Sequence, residues 1–392
     1  MGKIRVVHII TELELGGAQL FTLKTVKELD KEKFETFLIA NCKGMLNSEV
    51  KNYTKNFTCI KPLIREISPI KDFLALISLY KRIKSIKPQI VHTHSSKAGI
   101  LGRTAAYLAK VPVIVHTVHG FAFSPFHSKF KRNFYILLEK FASKLSDHLI
   151  FVSEANRGEA EKLKITKKGK NSIIRSIVGL DKFRKNSLRK NELRKKFGFS
   201  EKDKIVGGVF CFKPQKDPVG FIEIANLVIK NSDDIKFIIA GDGYVKSAMI
   251  EKIREYKIDD KIIFLGWIDN PDELIPTFDV LLLPSLWEGL PQVVVQAIVS
   301  RVPVIATSVN GTKDIVKNGE NGFLFEPKNY KKAANLILNI FKSKEIKDKI
   351  QAQSEIVYEN FNPEIMVREQ EKLYLKLLEN VKRVHKNKKK FF

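Results

Sequence analysis

The chain is poor in cysteine. Its three cysteines in 392 residues, Cys42, Cys59 and Cys211, have no paired spacing and no Cys/His cluster around them. That argues against a disulfide framework or a zinc site and for a reducing compartment. Long apolar runs are missing too. Before Glu12 and Glu14 the chain offers only Val6 to Ile10, too short for a signal-peptide core, and no stretch reaches the roughly eighteen residues of a membrane span. A cytosolic protein, or one peripheral to a membrane, is expected. Acidic residues are scarce in one half: residues 1–200 hold 39 basic and 16 acidic side chains, a net of +23, against +3 for residues 201–392. The partner of the first half is therefore anionic: nucleic acid, a phospholipid surface or a phosphate-bearing substrate.

What is present is ample material for two cores. Hydrophobic residues make up 44% of the chain, and at roughly 100–200 residues per domain the length implies two domains. Val- and Ile-rich runs alternate with helical patterns throughout, the sign of parallel sheets joined by crossover helices. Strands are expected at Ile4–Ile10, Phe34–Ala40, Ile90–Thr93, Val113–Val118, Leu149–Ser153 and Ser172–Ile177. A basic stretch, Lys182 to Lys196, reads as an exposed helical connector. The pattern restarts with strands at Ile205–Phe210, Lys236–Ala240, Lys261–Leu265, Val280–Leu283 and Val302–Thr307. Pro363 opens a long helix with Met366, Leu373, Leu377 and Val381 on one side. The fold class is α/β, with two doubly wound Rossmann-like domains facing a central crevice at their strand carboxyl ends.

Polar and Gly-rich motifs fall at those strand ends. Gly16 and Gly17 open a helix, where backbone N–H groups approach an anion closely. His92, His94, His116 and His119 end two strands; no carboxylate lies near to complete a ligand set, so a metal is not expected, and His119, before Gly120, is the best placed to face a substrate. Lys213 and Lys216 put two ammonium groups where a pyrophosphate can rest. The most informative stretch runs from Ser285 to Ala297: a Glu at a strand end, a Gly-Leu-Pro turn, and an amide, Gln296, eight residues after Glu288. A buried carboxylate there needs a donor, and sugar hydroxyls supply one.

Together these motifs resemble glycosyltransferase family 4, retaining enzymes of the GT-B fold. The resemblance runs nearly end to end and rests on Gly16-Gly17-Ala18-Gln19, His92-Thr93-His94-Ser95-Ser96-Lys97-Ala98-Gly99, His116-Thr117-Val118-His119-Gly120, Val152-Ser153-Glu154, Lys213-Pro214-Gln215-Lys216, Gly241-Asp242-Gly243 and Glu288-Gly289-Leu290-Pro291. It implies an acceptor-binding domain over 1–185 and a nucleotide-sugar-binding domain over 186–362, with helix 363–392 packing back on the first. Glu288 and the backbone N–H groups of Gly289 and Leu290 would hold the donor sugar. Lys216 and Gly17 would face the diphosphate, with Gly16 and Gly241 nearby, and Ile268 would line the base. His119 would lie beside the reacting sugar. Two positions depart from the pattern. Gln296 replaces the second Glu of the E-x7-E signature, and Phe210 or Cys211 stands where many members have an Arg, leaving Lys213 as the substitute cation.

The chain has no Asp-x-Asp, so lysines and a helix terminus must stabilise the leaving diphosphate without a metal or other cofactor. The activity implied is retaining hexosyl transfer from a nucleoside-diphosphate sugar, UDP- or GDP-linked, to a hydroxyl of a lipid-linked or membrane-proximal glycan in surface-polysaccharide assembly. Lys129, Phe130, Lys131, Arg132 and Phe134, in a basic-aromatic stretch beginning at Ser124, read as a contact to an anionic membrane on the cytosolic side. A GT-B sugar-nucleotide epimerase is the enzyme alternative. A basic nucleic-acid-binding protein is the other, but it leaves the Glu288 turn and the two α/β domains without a purpose.

Overall fold

The structure, a computed structural model, describes residues 2–14, 16–123, 128–175, 177 and 179–388. Leu15 before the first glycine pair, Ser124–His127 of the basic-aromatic stretch, Ser176 of the sixth expected strand, and Lys389 and Lys390 of the tail lie outside the described residues. The chain divides into two compact units, Met1–Val178 with Pro363–Phe392, and Gly179–Asn362.

The first unit is built on seven parallel strands, β1 (Ile4–Ile9), β2 (Phe34–Ala40), β3 (Phe57–Cys59), β4 (Ile90–His94), β5 (Val113–Val118), β6 (His148–Phe151) and β7 (Asn171–Ile173), in the order β3-β2-β1-β4-β5-β6-β7. Helices α1 (Gly17–Glu28), α2 (Pro69–Ile86), α3 (Ser96–Leu108), α4 (Lys129–Lys144) and α5 (Glu154–Lys162) connect them. Residues on β1, β4 and β5 are buried on both faces, which is why these strands read as unbroken apolar runs. One face, with Val7, Ile9, Val91 and Ile114, packs under α2 and α3; the other, with Val6, Ile90, Val113 and Val115, faces Phe21 of α1.

The second unit repeats the plan with six parallel strands: β8 (Lys204–Val209), β9 (Ile235–Ala240), β10 (Ile262–Gly266), β11 (Val280–Leu283), β12 (Val304–Thr307) and β13 (Gly322–Phe325), ordered β10-β9-β8-β11-β12-β13. Its helices are α6 (Leu180–Asn186), α7 (Lys190–Lys196), α8 (Pro218–Ile229), α9 (Lys246–Tyr256), α10 (Pro271–Leu274), α11 (Gln292–Val299), α12 (Asn310–Lys313), α13 (Tyr330–Lys342) and α14 (Lys344–Asn360). The last helix, α15 (Pro363–Lys388), belongs to the first unit. Its stripe of Met366, Val367, Leu373, Tyr374, Leu377 and Val381 joins the core around Phe21 and Phe34.

Two expectations from the sequence fail here. Cys42 and Cys59 form a disulfide, and Cys211 is the free thiol. Parallel pairing of β2 with β3 sets Ala40 beside Cys59, so Cys42, two residues past the end of β2, reaches across; a three-residue strand was too short to announce that pairing. The basic stretch 182–196 is helical but is not an exposed connector. It forms α6 and α7 of the second unit, where buried Arg194 donates to the Thr277 carbonyl at 2.9 Å, to the Glu201 carbonyl at 2.9 Å and to Asp279 Oδ2 at 2.7 Å. Among the described residues, no helix is long and apolar enough to cross a membrane.

Candidate active site

In a parallel sheet all strand carboxyl ends share one edge, and a crevice opens where neighbouring strands leave in opposite directions. In the second unit that point lies between β8 and β11. The loops after these two strands are stitched together there: Leu286 N–H donates to the Gln215 carbonyl at 2.8 Å, and Gln215 Nε2 to the Trp287 carbonyl at 2.9 Å. This brings Lys216 Nζ to 2.5 Å from Glu288 Oε1, which also accepts from Ser285 Oγ at 2.6 Å. Both side chains are mostly buried, Lys216 at 16% exposed and Glu288 at 5%. Glu288 Oε2 and the backbone N–H groups of Gly289 and Leu290 have no hydrogen-bond partner among the described residues. The site therefore offers one ammonium, one half-occupied carboxylate and two free N–H groups just before α11.

Close backbone contacts hold these loops. A Cβ on Gly311 would lie 1.7 Å from the Gly289 carbonyl oxygen, so α12 and the Glu288 turn meet backbone to backbone. Gly241, at φ +134°, is equally constrained, since a Cβ there would reach within 2.0 Å of the Phe210 carbonyl oxygen. Phe210 itself packs its ring on Phe221 and Phe212, and Cys211 is a half-buried thiol. Neither supplies a cation, whereas Lys213 stands just beyond. Gln296 falls within α11, and Ile268 follows β10 beside exposed Trp267.

In the first unit the corresponding point lies between β1 and β4, and it is lined with imidazole. Register sets His8 beside His92 on adjacent strands. Nδ1 of His8 lies 3.1 Å from Nε2 of His94, and Nδ1 of His94 lies 3.3 Å from Nε2 of His119. His92 is held separately, by Tyr374 Oη at 2.5 Å and Thr117 Oγ1 at 2.7 Å. His116 points to the opposite face, onto Thr93 Oγ1 at 2.9 Å, where Gly99 leaves room for its ring. Burial holds these rings neutral: it pushes His8 and His119 down to about 3, with the Lys31 charge adding to the effect on His8, and it takes His92, His94 and His116 well below the usual histidine range.

The hydrogen bonds of His92, His94 and His116 run to other side chains. Of the four, only half-buried His119 is not enclosed in the core. Ring nitrogens of His8, His92 and His94 lie within 4.8 Å of one another, the spacing of a loose metal cluster, yet both nitrogens of His92 and of His94 already have partners. His8, Thr117 and Tyr374 were not singled out in the sequence. Nothing in the sequence marks His8, which joins the cluster only because β1 lies against β4. At Gly16 and Gly17, α1 begins with no side-chain cap, so its first-turn N–H groups are open.

On α4, Phe130, Phe134, Leu137 and Phe141 recur at helical spacing and are 85%, 44%, 65% and 52% exposed. Lys129 and Lys131 are exposed beside this stripe. Arg132 is not part of it: its guanidinium turns to within 5.9 Å of the Phe123 ring.

One basic and one imidazole-lined site, each at the switch point of its own Rossmann-like unit, fit the plan of a glycosyltransferase of the GT-B type. The family described as glycosyl transferases group 1 matches residues 189–356, and Glycosyltransferase Family 4 matches residues 15–181. The chain belongs to this glycosyltransferase family. It is 37% identical over 328 residues to the Escherichia coli UDP-Gal:alpha-D-GlcNAc-diphosphoundecaprenol alpha-1,3-galactosyltransferase, covering 83% of this chain and 84% of that protein. The Staphylococcus aureus capsular polysaccharide biosynthesis glycosyltransferase CapM is 25% identical over 331 residues, 83% of this chain and 87% of its own length. Among solved structures, Anabaena Alr3699/HepE in complex with UDP and glucose shares the fold with a TM-score of 0.80 at 16% identity, over 94% of this chain and 99% of its own.

Proposed function

We propose that the protein transfers a hexosyl group, with retention of configuration and without a metal, from a UDP- or GDP-linked sugar to a hydroxyl of a lipid-linked glycan in cell-surface polysaccharide assembly. The observation that carries this reading is the Lys216–Glu288–Ser285 cluster at the switch point of the second unit. The two N–H donors of Lys216 that do not face Glu288 meet the leaving diphosphate, with Lys213 adding positive potential. Glu288 Oε2 and the N–H groups of Gly289 and Leu290 take sugar hydroxyls, and His119 lies beside the reacting ring. Charge developing on the diphosphate is stabilised before the acceptor attacks from the same face. The named activity of the E. coli relative supports a diphosphoundecaprenol-linked acceptor and a UDP-linked donor. On this reading the stripe on α4, flanked by Lys129 and Lys131, rests in the headgroup layer of the cytosolic leaflet.

The test is transfer itself. Purified protein is incubated with UDP- and GDP-hexoses and a diphosphoundecaprenol-linked sugar, with and without a chelator, and the anomeric configuration of the product is read by NMR. Retained configuration and turnover that survives chelation are expected. An inverted product, or activity lost to the chelator and restored by magnesium or manganese, overturns the mechanism. Interconversion of the donor sugar with no acceptor present points to an epimerase instead.

A further inference from the structure

We infer that His8, fully buried on β1, sets the tautomer of His119 through His94, and so is a positioning residue for the transfer. This rests on the reading above that His119 lies beside the reacting sugar. Each neutral imidazole has one N–H and one lone pair. His94 has both nitrogens engaged, one by His8 and one by His119. If His94 donates to His8 it must accept from His119, and if it accepts from His8 it must donate to His119. All three rings therefore carry their proton on the same nitrogen, either Nε2 throughout or Nδ1 throughout.

The free end of the chain decides which. Nε2 of His8 is buried with no partner among the described residues. A buried N–H without an acceptor is the costlier orphan, so the bare lone pair sits at His8 Nε2 and the protons sit on Nδ1. This is not the tautomer a free imidazole favours. Nδ1 of His119, which has no partner among the described residues, then presents an N–H and acts toward the sugar as a hydrogen-bond donor rather than a base. His92 stands outside the chain, because its nitrogens bond to hydroxyls and not to another imidazole; Tyr374 Oη donates to Gln370 Oε1 at 3.3 Å and so accepts from His92 Nδ1. A metal bound by His8, His92 and His94 would break at least one link.

Nitrogen-15 NMR of histidine-labelled protein tests this, with His119 assigned from the signal lost in His119→Gln. The wild type should show Nδ1–H for His8, His94 and His119. His8→Phe keeps the volume but not the hydrogen bond, and should move His119 toward Nε2–H while kcat falls roughly ten-fold with the donor KM little changed. His8→Asn still offers an N–H to His94 Nε2 and should restore both the tautomer and the rate. If wild-type His119 carries its proton on Nε2, or if its tautomer is unmoved in His8→Phe, the inference is overturned; the first result needs no variant to fold. Stoichiometric metal that disappears with His8→Phe overturns it as well. A tautomer that moves while kcat does not leaves the chain standing and sinks the placement of His119 beside the sugar.

Discussion

The two units share a plan and solve the same problem with opposite chemistry. Each has a parallel sheet with a switch point, and each buries polar side chains there. The first uses neutral rings in hydrogen-bonded succession, from His8 to His119. The second uses an ion pair, Lys216 with Glu288. Neutral groups are cheap to bury but titrate once the pH falls; a buried ion pair carries a desolvation cost that only good geometry offsets, and its charges remain available to an anionic ligand. The residue supply is divided accordingly. All eight histidines of the chain belong to the first unit, and both tryptophans, Trp267 and Trp287, to the second.

Acid should separate the units most strongly. Unfolded histidine takes up a proton below about pH 6.5, whereas folded His8 and His119 stay neutral to about 3 and His148 to about 4. The unfolded state thus binds more protons across that window. The stabilising contribution is complete above pH 6.5 and is lost on acidification at about 1.4 kcal/mol per pH unit for each ring, so these three alone approach about 4 kcal/mol per pH unit. Histidine NMR signals of the first unit should lose native dispersion at a higher pH than tryptophan fluorescence of the second changes. Coincident transitions would contradict the division.

The next effect is on the ion pair. Lys216→Met should cut transfer by about 10³-fold, or about 4 kcal/mol of transition-state stabilisation, and lower the stability of the second unit by leaving Glu288 unpaired. Adding Glu288→Met should restore the melting temperature without restoring activity. Recovery of turnover in the double variant would show that the pair serves the fold alone.

Reduction of Cys42–Cys59, which closes a loop of sequence separation 17, should destabilise the first unit by about 3 kcal/mol on the chain-entropy account and leave tryptophan unfolding unmoved. Thiol titration with and without reductant reads the bridge directly. The smallest effect concerns the α4 stripe. Lys129→Gln with Lys131→Gln should weaken sedimentation with anionic vesicles by about 1 kcal/mol per site, with little change toward neutral vesicles. Equal binding to both kinds of vesicle would remove electrostatics from the contact.

The fold was legible because its signals are local. Continuous apolar strands such as Val113–Val118 and the glycines at strand ends need no knowledge of distant partners. The sites were legible as separate residues but not as arrangements. Lys216 and Glu288 each drew notice as ligand groups, yet their 2.5 Å contact depends on two loops 72 positions apart. His8 looked like any strand residue until β1 lay against β4. Tyr374 is 282 positions from the histidine it holds, and no periodicity within α15 announces a hydroxyl needed elsewhere. The α4 cations were read as one group because charge counts do not show direction, and Arg132 turns inward to Phe123.

The contact of Tyr374 with His92 bears on how the molecule is made. Unit two is continuous in sequence, but the core of unit one stays open until α15 arrives to cover His92 with Tyr374 and to give Thr25 its bond from Gln370. At roughly 5–20 residues per second, the ribosome delivers Tyr374 on the order of tens of seconds after His92. During that interval the nascent amino-terminal sheet exposes one face and His92 lacks the Tyr374 hydroxyl, while the segment translated in the middle already has everything it needs to fold. The half of the protein made first is therefore the half that finishes last.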